Sequence, residues 1–273
     1  MPISYACAFS HAPGILAWSE AAPAAQRGNL HAGIEVLRRR LDDADLDALI
    51  LFTSEHWTNF FLDHVSPFCV GRSESYEGPV EPWLKLAKTR VPGHPALARE
   101  LLAECYANDV EPGFAREMQF DHGTMIPLHF LVPDMRLPVV PIMVNTLAAP
   151  QPSARRCMTL GRIVGDYARR SGMRLGIVAT GGMSHDPGEV NHGIIDQAFD
   201  RRFLEQMRDG RLDQLAGYST DDLAAAGAGA IELLSWIALA GALQRYRGEV
   251  VAYEAVFPWA TGMGLMSMTP EVV

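Results

Sequence analysis

Residues 46–57 read LDALILFTSEHW: an unbroken apolar run, Ala48–Thr53, that passes straight into Ser54-Glu55-His56-Trp57. A strand with one wet face alternates apolar and polar residues, so a run without alternation is buried on both faces, as central strands of layered α/β folds are. The same pattern recurs outward from it. Ile3–Phe9 is closed by Ser10-His11-Ala12-Pro13-Gly14, Pro138–Val144 (PVVPIMV) ends at Asn145, and Leu175–Ala179 (LGIVA) ends in Gly181-Gly182-Met183-Ser184-His185. Phe114–Phe120 reads as a further strand ending in Asp121-His122-Gly123, and Val250–Val256 as the last one. Helical periodicity falls between them, over about Leu30–Leu41, Pro95–Ala107, Ala154–Arg170 and Ile194–Met207, with proline at a first helical position where its missing N–H does no harm. Strand and helix in alternation predict a three-layer α/β/α sandwich on a largely parallel sheet. Gly71–Pro95 is too irregular for a central element and reads as a long functional loop.

At 273 residues, 48% hydrophobic and 20% charged, the chain suits one large α/β domain, 1–273. A net charge of -9 and a pI near 5.4 argue against nucleic acid or an anionic membrane as partner. Cys7, Cys69, Cys105 and Cys157 have no paired metal-type spacing, which fits a reduced, cytoplasmic compartment. No signal peptide is indicated at MPISYACAFSHAPG. The one candidate membrane span, Gly227–Leu243 (GAGAIELLSWIALAGAL), falls short of the roughly 20 residues needed and holds Glu232.

That glutamate needs a partner. A helix apolar around most of its circumference is a buried helix, and a buried carboxylate has to be neutral, hydrogen-bonded, ion-paired or metal-bound. A place at the helix's exposed start, favoured by the macrodipole, is the plainer alternative. Four of the nine histidines, His11, His56, His122 and His185, stand just past predicted strand ends. Ligands of open α/β sheets bind outside the carboxyl ends of the strands, so four imidazoles share one sheet edge with Glu232 available to join them. Two histidines and a carboxylate on one face of a divalent ion suit either a non-haem Fe(II) oxygenase or a zinc hydrolase, and spacing does not choose between them. His31, His64, His94, His129 and His192 lack that placement and read as surface or supporting residues. Gly182-Met183-Ser184-His185-Asp186 is not a nucleophile elbow, because Asp186 replaces the final glycine, and no dinucleotide fingerprint or phosphate loop is present.

Five stretches in order, SHAPG at Ser10, SEHWTNFFLDHVSPFCVG at Ser54, DHGTMIPL at Asp121, ATGGMSH at Ala179 and GAIELLSWIALAGAL at Gly229, give the chain a resemblance to the class III (LigB-type) extradiol ring-cleavage dioxygenases. The resemblance implies a three-layer sandwich with a mixed sheet. It implies Fe(II) held by His11, His56 and Glu232, His185 as the catalytic acid/base, and His122 with Asp121 lining the substrate pocket, His122 taking part in catalysis. It further implies a catechol-type substrate cleaved beside its two hydroxyls with O2, and a homo-oligomer, some relatives adding a small helical partner subunit as a lid. Glu55 stands where relatives often have Asp, and substrate contacts near FPWATGMGLMSM do not transfer. A zinc-dependent hydrolase on the same ligands, or a non-catalytic interaction module of the same fold, are the competing readings.

Overall fold

The structure is a computed structural model and describes residues 3–271. Among the described residues ten strands form: β1 Tyr5–Phe9, β2 Ala48–Thr53, β3 Phe68–Gly71, β4 Ser75–Gly78, β5 Thr89–Pro92, β6 Gly113–Ala115, β7 Val139–Val144, β8 Leu175–Thr180, β9 Tyr246–Val256 and β10 Thr261–Pro270. The longer helices are α1 Ala24–Asp43, α2 Pro95–Ala107, α3 His122–Leu131, α4 Ala154–Arg170, α5 Gln197–Arg208 and α6 Leu233–Leu243. Eight strands make one sheet in the order β6-β3-β7-β2-β8-β1-β10-β9, and β4 with β5 is a separate hairpin. The central run β7-β2-β8-β1 is parallel, whereas β3 against β7, and β10 against both neighbours, are antiparallel. The sheet is therefore mixed.

Alternate residues of the parallel strands face opposite layers, which is why their sequences show no polar face. Ala6, Ala8, Ile50, Phe52, Ile177 and Ala179 pack under α2, α4, α5 and α6, while Tyr5, Cys7, Phe9, Leu49, Leu51 and Val178 pack under α1 and α3. Every residue of α6 is buried. Burial of each large apolar side chain on it contributes about 1.5–3 kcal/mol, so the helix is held by its surroundings. Gly161 and Gly165 let α4 lie directly on its backbone: a Cβ at either would sit 1.9 or 2.0 Å from the carbonyl oxygens of Ala238 and Ala242. All four cysteines are buried free thiols. No helix among the described residues is long and apolar enough to cross a membrane.

Several expected elements differ. Phe114–Phe120 is a strand only over Gly113–Ala115; beyond it, Phe120 bonds the hairpin instead of the sheet, its amide donating to the Glu77 carbonyl. Val250–Val256 is not the last strand, because β10 follows and inserts beside β1. Gly227–Leu243 is split: Ala228–Glu232 is a 3-10 turn, and the α-helix starts at Leu233. Gly71–Pro95 is a hairpin closed around a buried Tyr76 that stacks on Phe120, not a structureless loop.

Candidate metal centre and active site

The parallel strands end level, since Phe9 pairs with Thr180 and Phe52 with Ala179. Their exits therefore deliver His11, His56 and His185 to one edge of the sheet, where ligands of such sheets bind. His11 is 2% exposed and Glu232 3% exposed, so both are withdrawn from bulk water. Glu232 stands at the start of α6, where the helix dipole favours a carboxylate, yet it is buried: the two sequence readings of this residue are reconciled by a helix start that points inward.

Its two oxygens take one histidine each. His11 Nε2 lies 3.1 Å from Oε2 and His56 Nε2 3.0 Å from Oε1, and the Gly182 amide also donates to Oε2. The other ring nitrogens are occupied behind. The Thr180 hydroxyl donates to Thr53 Oγ1 (2.9 Å), which donates to the Ser54 carbonyl (2.9 Å), so Thr180 is left to accept from His11 Nδ1 at 3.2 Å. Asp121 Oδ2 accepts both the His56 amide (2.7 Å) and its Nδ1 (3.1 Å). Without a metal an Nε2 proton bridges to the carboxylate; with the Nδ1 protons kept and the Nε2 protons displaced, the two Nε2 lone pairs and the carboxylate form a donor set that suits a divalent cation and has the carboxylate–histidine support typical of metal sites. Burial pulls the His56 imidazole down, but Asp121 and Glu232 together outweigh it and hold it well above the ordinary value. Burial pushes Glu232 and Asp121 up, and the histidines reverse this, taking Glu232 well below its ordinary value and Asp121 to about 2.

His122 reaches the same place by another route. It does not leave a strand, as the sequence suggested, but opens α3, whose N-cap Asp121 accepts from the Gly123 amide at 2.9 Å. Its ring stacks on His56 with centroids 3.9 Å apart, and nitrogens of His11, His56 and His122 lie within 4.8 Å of one another. Glu81 Oε1, from the hairpin, accepts from His122 Nδ1 at 2.7 Å and from its amide at 3.1 Å. Burial, with the positive His56 beside it, lowers the His122 pKa and favours the neutral ring. Glu81 was not singled out in the sequence; nothing in Gly78-Pro79-Val80-Glu81-Pro82 marks it, because the hairpin alone carries it there.

His185 sits in a slot made by two glycines. A Cβ at Gly229 would lie 2.1 Å from its Cε1 and Nε2, and one at Gly182 would lie 2.3 Å from Cε1. Its Nδ1 donates to the Met183 carbonyl at 2.8 Å, leaving Nε2 as the basic nitrogen. His11, His56, His122, His185 and Glu232 all line one cavity of about 680 Å³. Trp18, Trp57, Trp259 and Thr146 also line it, as does His192, one of the histidines set aside in the sequence; His94 caps α2 instead. Trp18 stacks on Trp83, and Trp259 Nε1 donates to the Trp18 carbonyl at 3.1 Å, which fixes this aromatic wall.

Residues 5–264 match the family described as the catalytic LigB subunit of aromatic ring-opening dioxygenase. The chain is 30% identical to 2,3-dihydroxyphenylpropionate/2,3-dihydroxicinnamic acid 1,2-dioxygenase of Paraburkholderia xenovorans, over 99% of this chain and 98% of that one. The Cupriavidus necator enzyme of the same name is 26% identical over the whole of both chains. Among solved structures, uncharacterized protein JW3007 of Escherichia coli K12 superposes with a TM-score of 0.57 at 16% identity, covering 96% of this chain and 98% of that chain, a likeness of fold.

Proposed function

Since this chain belongs to the LigB family of aromatic ring-opening dioxygenases and is a ring-cleaving dioxygenase, we propose that it is an Fe(II)-dependent extradiol enzyme for a catechol-type substrate, a vicinal diol or aminophenol, with His11, His56 and Glu232 as iron ligands. The observation that carries this reading is the approach of two Nε2 atoms, at 3.1 and 3.0 Å, to separate oxygens of one buried carboxylate. Held by His11, His56 and Glu232, ferrous iron would supply the chelation of the diol and the electron transfer to O2 that ring cleavage needs.

The chain's own residues do the rest. Asp121 and Thr180 hold the Nδ1 protons of His56 and His11, which keeps each Nε2 turned inward as a donor. His185, with Nδ1 committed to Met183, takes a substrate hydroxyl proton at Nε2, and imidazole is the side chain suited to that exchange near neutral pH. His122, held by Glu81, turns its other nitrogen to the substrate as an acceptor. Trp18 and Trp57 give the substrate ring an aromatic wall at the cavity's mouth. The ring opens beside the two hydroxyl-bearing carbons. The reading extends to a single catalytic domain in the cytoplasm, where the four buried thiols stay reduced.

The test is oxygen uptake by anaerobically iron-loaded protein offered catechols, aminophenols, monophenols and aryl esters. Uptake with diols at one O2 per ring opened is expected. Ester hydrolysis with zinc, and no uptake with any diol, would refute the proposal in favour of a hydrolase; inertness toward the whole panel would favour a non-catalytic relative.

A further inference from the structure

We infer, on the basis of the ring-cleaving reading above, that the substrate's ring carries a bulky, uncharged, apolar substituent and that the cavity discriminates against a carboxylate tail. Size is the first observation. A cavity of about 680 Å³ lies in the range that encloses a drug-sized ligand, so a lone diol ring at the histidines leaves most of it unfilled. Its walls are the second. Away from the histidine cluster they are built from tryptophan, proline and aliphatic side chains, among them Trp18, Trp57, Trp259, Pro258, Leu147 and Ile231.

Charge is the third observation and decides the sign. Among the described residues no Lys or Arg lines the cavity. The one ionisable group on its wall outside the cluster, apart from the His192 imidazole, is the carboxylate of Glu189. The polar Thr146 is neutral, and its buried Oγ1 has no partner. A substituent carboxylate entering here finds no fixed cation on the wall beyond the histidine cluster and meets the like charge of Glu189 at the exposed rim. An apolar substituent loses nothing and covers the aromatic wall. The relatives named above act on diols whose propionate or acrylate tail bears a carboxylate, so this chain parts from them at the substituent and not at the diol.

The test compares kcat/KM for 3-phenylcatechol, 3-propylcatechol and 3-(2,3-dihydroxyphenyl)propionate on the iron-loaded enzyme; the last two differ mainly in charge. The phenyl and propyl compounds should exceed the propionate by about 10-fold or more, the scale at which one pocket contact discriminates. That order should hold in His192→Gln, which removes the rim imidazole, and Glu189→Lys should narrow the gap by placing a cation on the wall. A wild-type preference for the propionate, or a ratio unmoved by Glu189→Lys, would overturn the inference while ring cleavage stands. If none of the three diols is opened, the proposed function fails first and this inference with it.

Discussion

Gly229→Ala isolates His185, the proposed acid/base, without replacing a polar group. The added methyl would lie 2.1 Å from Cε1 and Nε2 of His185, and Cβ atoms essentially never approach closer than 3.0 Å, so the ring must give way by about 1 Å. Gly182 already lies against the same ring, and the Nδ1 bond to Met183 is lost or bent as it moves. A displacement of that size at a proton-transfer group costs on the order of 10²-fold in turnover, which is about 2.7 kcal/mol of barrier. Iron content and Tm, read on the same preparation as single-turnover ring opening, separate this from loss of metal or fold. The decisive measurement is a double-mutant cycle: once His185→Ala has removed the ring, Gly229→Ala should lower turnover by no more than about 3-fold further, because the alanine then has nothing to displace. A further loss near 10²-fold in that background, or iron loss as the main defect of the single variant, would refute the reasoning.

Glu232→Gln should strip iron measured by metal analysis after anaerobic loading, whereas His122→Ala should retain it; the reverse, iron kept in Glu232→Gln and lost in His122→Ala, would move the ligand set to the three histidines that lie within 4.8 Å of one another. Glu81→Ala should lower kcat by about 10- to 100-fold and displace its pH profile, with partial rescue by Glu81→Gln, because the acceptor for His122 Nδ1 is gone; an unmoved profile would reduce Glu81 to a packing residue. Asp200 offers a test of stability. Burial raises its carboxyl pKa even though Ser184 and Tyr253 donate to it at 2.8 Å, so the folded chain holds that proton more tightly than the unfolded chain, whose value is near 3.9. Its stabilising contribution is therefore complete below about pH 3.9 and is lost as pH rises through the raised folded value. The Tm of Asp200→Asn relative to wild type should rise as pH is raised above about 3.9, and a constant or falling difference would contradict that sign.

The parts legible in the sequence are those whose signal is local. Ala48–Thr53, Pro95–Ala107 and Ala154–Arg170 have the bounds read from their apolar pattern, because a run buried on both faces and a long amphipathic repeat each specify their own period. His11, His56 and His185 were singled out because a turn after a buried strand is a placement the chain itself announces, and Glu232 because it is the one carboxylate in an apolar helical run. What escaped depends on contacts between distant segments. Phe68–Gly71 is too short to show a period, and TGMGLMSMTP lacks alternation and contains glycines that disfavour a strand in isolation; β10 is made a strand by the two edges it fills. His122 was placed in the right cluster for an incomplete reason, since a helix cap and not a strand end holds it. Glu81 had no signal at all, because its role is conferred by a hairpin that brings residue 81 to residue 122.

The order in which the strands are synthesised is not the order in which they lie. β10 is the last strand along the chain, yet it separates β1 from β9 and is the partner β9 pairs with. A chain without Thr261–Pro270 still holds His11, His56, His122, His185 and Glu232, but its β1 shows a bare edge and its β9 has nothing to pair with. Bare edges of this kind are templates for another chain, so β10 also covers edges that would otherwise invite aggregation. A product ending before Thr261 would carry every proposed iron ligand and leave those edges bare.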